Sequence, residues 1–187
     1  MESSYAKHNY GDMLYSLVRI HKPEACVELG CLQGYSSVHI AKGLKKNNSG
    51  HLTVIDLFEE YPYRSYPKEV VLQNWALHEV IEYCSPIHGD GCKEADQFLD
   101  GSVEFLHIDI SNCADVLESV FLRWTPKLKY GAIVVFEGGS TERDQVPWMI
   151  NYNKAPISQF LKSKFFTREF DYLVLQPFPS MTICQRK

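Results

Sequence analysis

Short runs of β-branched and aliphatic residues alternate with longer segments of helical period, and this alternation constrains the fold more than any other feature of the chain. Ala25 to Leu29, Leu52 to Leu57, Val103 to Ile110 and Ala132 to Phe136 read as buried strands. The segments between them carry apolar stripes at three- and four-residue spacing. Met13, Leu14, Leu17, Val18 and Ile20 form one over Asp12 to Ile20, and Pro23 separates that helix from the first strand. Strands joined through helices cannot pair as hairpins, so the pattern calls for a parallel sheet with crossover helices.

The remaining elements follow from local signals. Ser36 or Ser37 opens a helix that runs to Lys46 and ends at Asn47, Asn48 and Gly50. Residues 67–84 read as helical, followed by a weak strand from Pro86 to His88 and a short helix near Lys93 to Leu99. Ala114 to Trp124 is a strongly amphipathic helix stopped by Pro126, and Lys129, Tyr130 and Gly131 make a turn before the fifth strand. After a helix over Pro156 to Lys164, the runs Arg168 to Gln176 and Met181 to Gln185 flank a tight Pro177-Phe178-Pro179-Ser180 turn. Strands that close must pair as an antiparallel hairpin. The expected fold class is α/β: a Rossmann-like, doubly wound sheet of about seven strands, mostly parallel, with a C-terminal antiparallel hairpin and helices on both faces.

Composition narrows the function. With 187 residues and 45% hydrophobic content the expectation is one domain over residues 1–187 with a substantial core. Nineteen Lys and Arg against 23 Asp and Glu, with no basic run longer than Lys45-Lys46, argue against nucleic acid as a partner, which needs a clustered positive footprint. The six cysteines show no C-x-x-C pair and no zinc-site spacing, and read as reduced thiols of a cytoplasmic protein. No apolar run approaches the roughly 18 residues of a membrane span, so no membrane partner is expected. A homodimer is the expectation from the general frequency of twofold assemblies.

The sharpest local signal is Val27 to Ser37, a strand ending in a glycine loop that feeds a helix. Gly30 permits a turn barred to other residues, and Gly34 starts a helix whose first N–H groups can receive polar ligand atoms. The dinucleotide fingerprint G-x-G-x-x-G needs a middle glycine, and Leu32 stands there; no Tyr-x-x-x-Lys pair is present either. Both features disfavour a nicotinamide dehydrogenase. Glu28, two residues before Gly30, suits a cationic, phosphate-free cofactor. Asp56 ends the second strand, followed by Leu57, at the offset where nucleotide-binding α/β folds place an acid on ribose hydroxyls.

Glu28-Leu29-Gly30-x-x-x-Gly34-Tyr35-Ser36 resembles motif I of class I methyltransferases, close to its form in catechol O-methyltransferase-like enzymes. Gly101 to Asp109, then Trp124, Leu128, Gly131 and Ile133 to Glu137, are similar to a bacterial methyltransferase family related to macrocin O-methyltransferase and cephalosporin hydroxylase-like proteins. The resemblance spans most of Cys26 to Glu137, and the remaining C-terminal residues fit in topology only. It implies an S-adenosylmethionine (SAM) seat, with S-adenosylhomocysteine (SAH) as product, made by Glu28, Gly30, Gly34, Tyr35, Ser36, Asp56, Leu57, Asp90 and Asp109. The segment His88-Gly89-Asp90-Gly91 contacts adenine in that reading and is a plain turn in the alternative.

Asp109 and Glu137 end neighbouring strands at the carboxyl edge of the sheet, where open α/β folds bind ligands. Three roles stay open for them: oxygen ligands for Mg²⁺, as the resemblance to metal-dependent relatives implies; a general base at Asp109; or a cap on the next helix. Gly138 stands where relatives carry another acid or Asn, and Ser111-Asn112-Cys113-Ala114 departs from their usual run. His107 points to the same face as Asp109 and reads as a buried core histidine. Gly138 to Asp144, ending at Trp148, reads either as a substrate clamp, with Arg143 on an anionic group and Asp144 as base, or as a solvated loop. Tyr61, Tyr63 and Tyr66 can wall an aromatic or sugar site or pack on a partner. The expected activity is SAM-dependent O-methylation of a small molecule, whether sugar, glycan, polar metabolite or phenol. A non-catalytic Rossmann-like module is the alternative.

Overall fold

The computed structural model describes residues 1–176 and 179–187. The chain divides into two compact units, Met1–Glu94 and Ala95–Lys187. The first holds α1 (Tyr10–His21), β1 (Ala25–Leu29), α2 (Tyr35–Asn47), β2 (His51–Asp56), α3 (Lys68–Leu77) and β3 (Cys84–His88). The second holds β4 (Val103–Ile108), α4 (Ala114–Trp124), β5 (Leu128–Glu137), α5 (Pro147–Asn151), α6 (Ile157–Leu161), α7 (Lys164–Glu169), β6 (Phe170–Leu175) and β7 (Met181–Arg186). The seven strands run in the order β3-β2-β1 in the first unit and β4-β5-β7-β6 in the second. β1, β2 and β3 pair in parallel, as do β4 and β5, while β7 runs antiparallel to both β5 and β6. This is the mixed, mostly parallel sheet with a reversed C-terminal hairpin that the sequence predicts.

In the first unit α1 packs on α2 through small residues. A Cβ on Gly11 stands 2.7 Å from the His39 ring, and one on Gly43 stands 2.8 Å from Val18, so the helices approach as closely as glycine allows. Leu14 and Val18 of α1 and Val38, Ile40, Ala41 and Leu44 of α2 are fully buried. α2 ends on Asn48 in the left-handed conformation (φ 55°), with its N–H returned to Leu44 and Lys45. α3 is shorter than the 67–84 segment predicts. It stops at Leu77 because Glu79 takes φ 54°, which breaks the helix and leaves a 3-10 turn at Ile81–Tyr83.

In the second unit the core is aromatic. Phe121 of α4 meets Phe136, Phe160, Phe166 and Phe170 at ring-centroid distances of 5.8, 5.5, 5.2 and 5.0 Å. Edge-to-face and tilted rings are the favoured arrangements for such pairs. The turn expected at Lys129, Tyr130 and Gly131 is instead part of β5: Val103 pairs with Leu128 but Phe105 with Ile133, so the extra residues form an irregularity around Gly131 at φ +82°. The helix read over 156–164 ends at Leu161 as α6, and a second short helix, α7, follows over Lys164–Glu169, capped by Ser163 accepting from the Phe166 N–H, so that the strand read from Arg168 starts at Phe170. The hairpin turn at Pro177-Phe178 lies outside the described residues. Among the described residues, no helix is long and apolar enough to cross a membrane.

Candidate functional site

In the first unit, the ends of β1, β2 and β3 are tied together by one residue. Asp56 accepts the Cys31 N–H at Oδ2 (2.7 Å) and the Phe58 N–H at Oδ1 (2.6 Å), while its carbonyl accepts the Gly89 N–H (3.0 Å). An ionised carboxylate offers about four acceptor positions, so two remain for ligand hydroxyls. The glycine loop beside it is a tight turn. Gly30 (φ 80°) donates to Ile55 O at 2.9 Å, Gly34 (φ 84°) donates to Cys31 O at 2.6 Å, and Leu32 sits between them at φ 51°. Val38 N–H makes the bond to Gly34 O that starts α2, and no side chain caps that helix. Its first turn, with Tyr35 and Ser36, is therefore available to a polar ligand.

Several residues that support this seat carry no sequence signal of their own. Ser37 donates to Glu28, and both are wholly buried, so Glu28 acts from beneath the loop by fixing α2 to β1. From α3, Asn74 Nδ2 donates to Gln33 O at 2.8 Å, and the Trp75 indole lies against Gly34, where a Cβ would stand 3.0 Å from Nε1. Glu2 donates its N–H to Gln33 Oε1 (2.6 Å), accepts from Tyr66 Oη (2.8 Å) and pairs with Arg64. Glu2 thus links the glycine loop to the segment after Asp56. Tyr63 is exposed on that segment, edge-on to Tyr61 at 5.4 Å, and Leu57 is half-buried. Asp90 caps the 3-10 turn after β3 by accepting the Cys92 N–H at 2.9 Å. Burial and the nearby Asp12 raise the Tyr35 phenol above its usual range, and burial lowers His39, whose ring lies 4.6 Å from that of Tyr35.

In the second unit, Asp109 and Glu137 follow directly on the paired residues Ile108 and Phe136 of β4 and β5, both half-buried. Asn112, buried, bridges the two strand ends by donating Nδ2 to Ile108 O and Glu137 O, each at 3.2 Å. Glu137 Oε1 accepts from Arg143 Nε at 3.0 Å. The segment carrying Arg143 is a packed connection and not the solvated loop of one sequence reading. Ser140, Arg143 and Asp144 are all buried, and side chains on Gly138 or Gly139 would collide with Ile157 or Thr182. Asp144 is not placed as a base: its Oδ1 accepts the Ile157 N–H (2.8 Å) and its Oδ2 the Ser158 N–H (3.0 Å), which caps α6. Trp148, half-buried, lies under the Arg143 guanidinium at 5.0 Å. His107 is fully buried.

Mg²⁺ asks for near-octahedral oxygen ligation. Glu137 is already paired with a guanidinium, and no group of three His, Cys, Asp or Glu among the described residues is arranged to hold a metal.

The glycine turn, the acid at the tip of β2 and the acids ending β4 and β5 all lie within residues 27–137, which match a family model described as a methyltransferase domain. That stretch is more than half of the chain. The chain belongs to this family. It is a class I, SAM-dependent methyltransferase.

Solved structures agree on the fold. The O-methyltransferase TomG from Streptomyces achromogenes, involved in tomaymycin synthesis and solved with SAM, is 17% identical; the match covers 96% of this chain and 80% of that one, with a TM-score of 0.74. An O-methyltransferase from Bacillus cereus solved with SAH is 16% identical over 100% and 83%, with a TM-score of 0.72. A methyltransferase from Geobacter sulfurreducens is 19% identical over 95% and 78%, with a TM-score of 0.69. No curated protein matches the sequence.

Proposed function

We propose that this methyltransferase moves a methyl group from SAM to a hydroxyl of a small molecule, a sugar, glycan unit, other polar metabolite or phenol. The first unit supplies the donor seat: Gly30, Gly34, Tyr35 and Ser36 for the amino-acid end, Asp56 for the ribose, and Leu57 and the Asp90 turn for the base. SAM contributes an activated methyl group on a cationic sulfur. The hydroxyl oxygen attacks the methyl carbon in line, the carbon–sulfur electron pair returns to sulfur to leave SAH, and the hydroxyl proton needs an acceptor.

Glu137 is paired with Arg143, and we assign the proton to Asp109, which directly follows Ile108 as Glu137 follows its register partner Phe136. That juxtaposition carries the reading, and the similarity to the O-methyltransferases TomG and that of Bacillus cereus supports oxygen as the nucleophile. Methyl-labelled SAM with a panel of glycosides and phenols tests it. Asp109→Asn is expected to lower kcat by about a hundredfold or more while SAH affinity stays the same. Label recovered only on nitrogen or carbon, or an Asp109→Asn enzyme as fast as the parent, overturns it.

A further inference from the structure

In the first unit, the glycine loop and the segment after β2 form two walls on either side of Asp56, and these walls are joined twice. At the base, Asp56 accepts an N–H from each wall, Cys31 from one and Phe58 from the other. At the rim, Glu2 makes the joint. Its N–H donates to Gln33 Oε1 (2.6 Å), its Oε2 accepts from Tyr66 Oη (2.8 Å), and its carboxylate pairs with Arg64. Each wall is held by contacts of its own. Gln33 O accepts from Asn74 Nδ2 at 2.8 Å. The segment after β2 is closed on itself by Ser65 Oγ donating to Tyr61 O (3.3 Å) and by the Lys68 N–H donating to Glu59 Oε2 (3.2 Å), and Pro62 and Pro67 stiffen it. The piece of chain that carries Glu2 is anchored at Tyr5. That side chain is wholly buried, edge-on to Tyr10 at 5.9 Å, and its carbonyl accepts the His8 and Tyr10 N–H groups at 3.1 and 3.4 Å. Ahead of the anchor, Met1, Glu2 and Ser4 are exposed. Exposed ion pairs are weak, so residues 1–4 are the part of this rim that can lift while both walls and the core stay in place.

We propose, on the donor seat assigned above to Gly30, Gly34 and Asp56, that Glu2 is the latch of that seat. Residues 1–4 strap the rim from Gln33 to Arg64 and Tyr66, and the strap lifts for SAM to enter and for SAH to leave. Glu2 is a positioning residue, acting through Gln33, Arg64 and Tyr66. A barrier at the rim slows entry and exit alike, so it sets both rate constants and leaves Kd nearly untouched. A residue that only supported the shape of the seat would behave otherwise: its loss would raise koff and Kd together and leave kon as it was.

The test measures kon and koff of SAH by surface plasmon resonance on the immobilised full chain, and Kd by calorimetry. Glu2→Gln and Arg64→Met are each expected to raise both rate constants at least threefold with Kd within twofold of the parent. The double variant should be no faster than the faster single one, because both changes break one contact. Glu2→Pro removes the N–H and the carboxylate together and is expected to raise both rates at least tenfold. Glu79→Gln breaks the ion pair with Lys45 elsewhere in the same unit and should keep the parent rates. Near-ultraviolet circular dichroism checks each fold, and if Glu2→Pro does not fold, the two exposed single variants decide. Parent rates in Glu2→Gln and Arg64→Met, a Kd that rises in step with koff while kon stays fixed, or Glu79→Gln as fast as Glu2→Gln overturns the latch. Parent protein that binds no SAH, or Asp56→Ala that binds it as tightly as the parent, overturns the donor seat instead.

Discussion

Single side chains in this protein are read best through what their polar atoms touch. Asp144 stands in a segment rich in charge and glycine, which suggests a base, yet both its oxygens accept backbone N–H groups of α6. Asp144→Ala is expected to lower stability by about 2 kcal/mol, the upper range for loss of a helix cap, seen in urea unfolding, with SAH affinity intact. A catalytic base would show the reverse, with stability kept and turnover lost. His39 gives a pH signature. Burial and then Lys42 lower its pKa, against the opposing pull of Asp12, and His78 adds a further lowering. The unfolded chain therefore binds a proton more readily than the native one as pH falls below about 6.5. Stability that is full above that pH is lost on acidification, and His39→Gln should flatten that part of a melting-temperature profile.

The elements that carry function are those whose ends are fixed by the fewest, most constrained residues. α2 begins at Gly34 in the left-handed region, with the Trp75 indole 3.0 Å from where a Cβ would stand. An alanine there meets a backbone cost of about 1–2 kcal/mol and a steric one, so Gly34→Ala should both destabilise the protein and weaken SAH binding at least tenfold by calorimetry. Equal SAH affinity in the variant would show that the turn does not seat the donor. Strand β5 shows the opposite case. Its aliphatic run is legible from Ala132 onward, but the pairing of Leu128 with Val103 across the irregularity at Gly131 is set by the neighbouring strand.

For the molecule as a whole, the family assignment makes a plain thermodynamic statement. A ligand that binds only the native state stabilises it by about 2.7 kcal/mol at a hundred times its Kd. For a chain of this size that is a rise in melting temperature of about 5–10 °C. SAH should give such a shift and NAD none, because Leu32 occupies the place of the middle glycine that a pyrophosphate needs. A shift with NAD and not with SAH would remove the methyltransferase assignment.

The sequence alone determined what depends on neighbours along the chain. Strand and helix alternation, the Gly30 to Gly34 turn, Asp56 at the tip of β2, the full extent of α4 and the reversed hairpin all rest on local periodicity, turn chemistry or offset, and all were legible. Only the tertiary structure decided which distant groups meet. That Arg143 returns to Glu137, that Asn112 bridges β4 and β5, that Asp144 caps α6, and that Trp75 backs Gly34 depend on how the chain folds back and packs between elements, and not on local periodicity. A carboxylate's role is set by whichever donor reaches it first, and that is a property of three-dimensional packing which no spacing along the chain encodes.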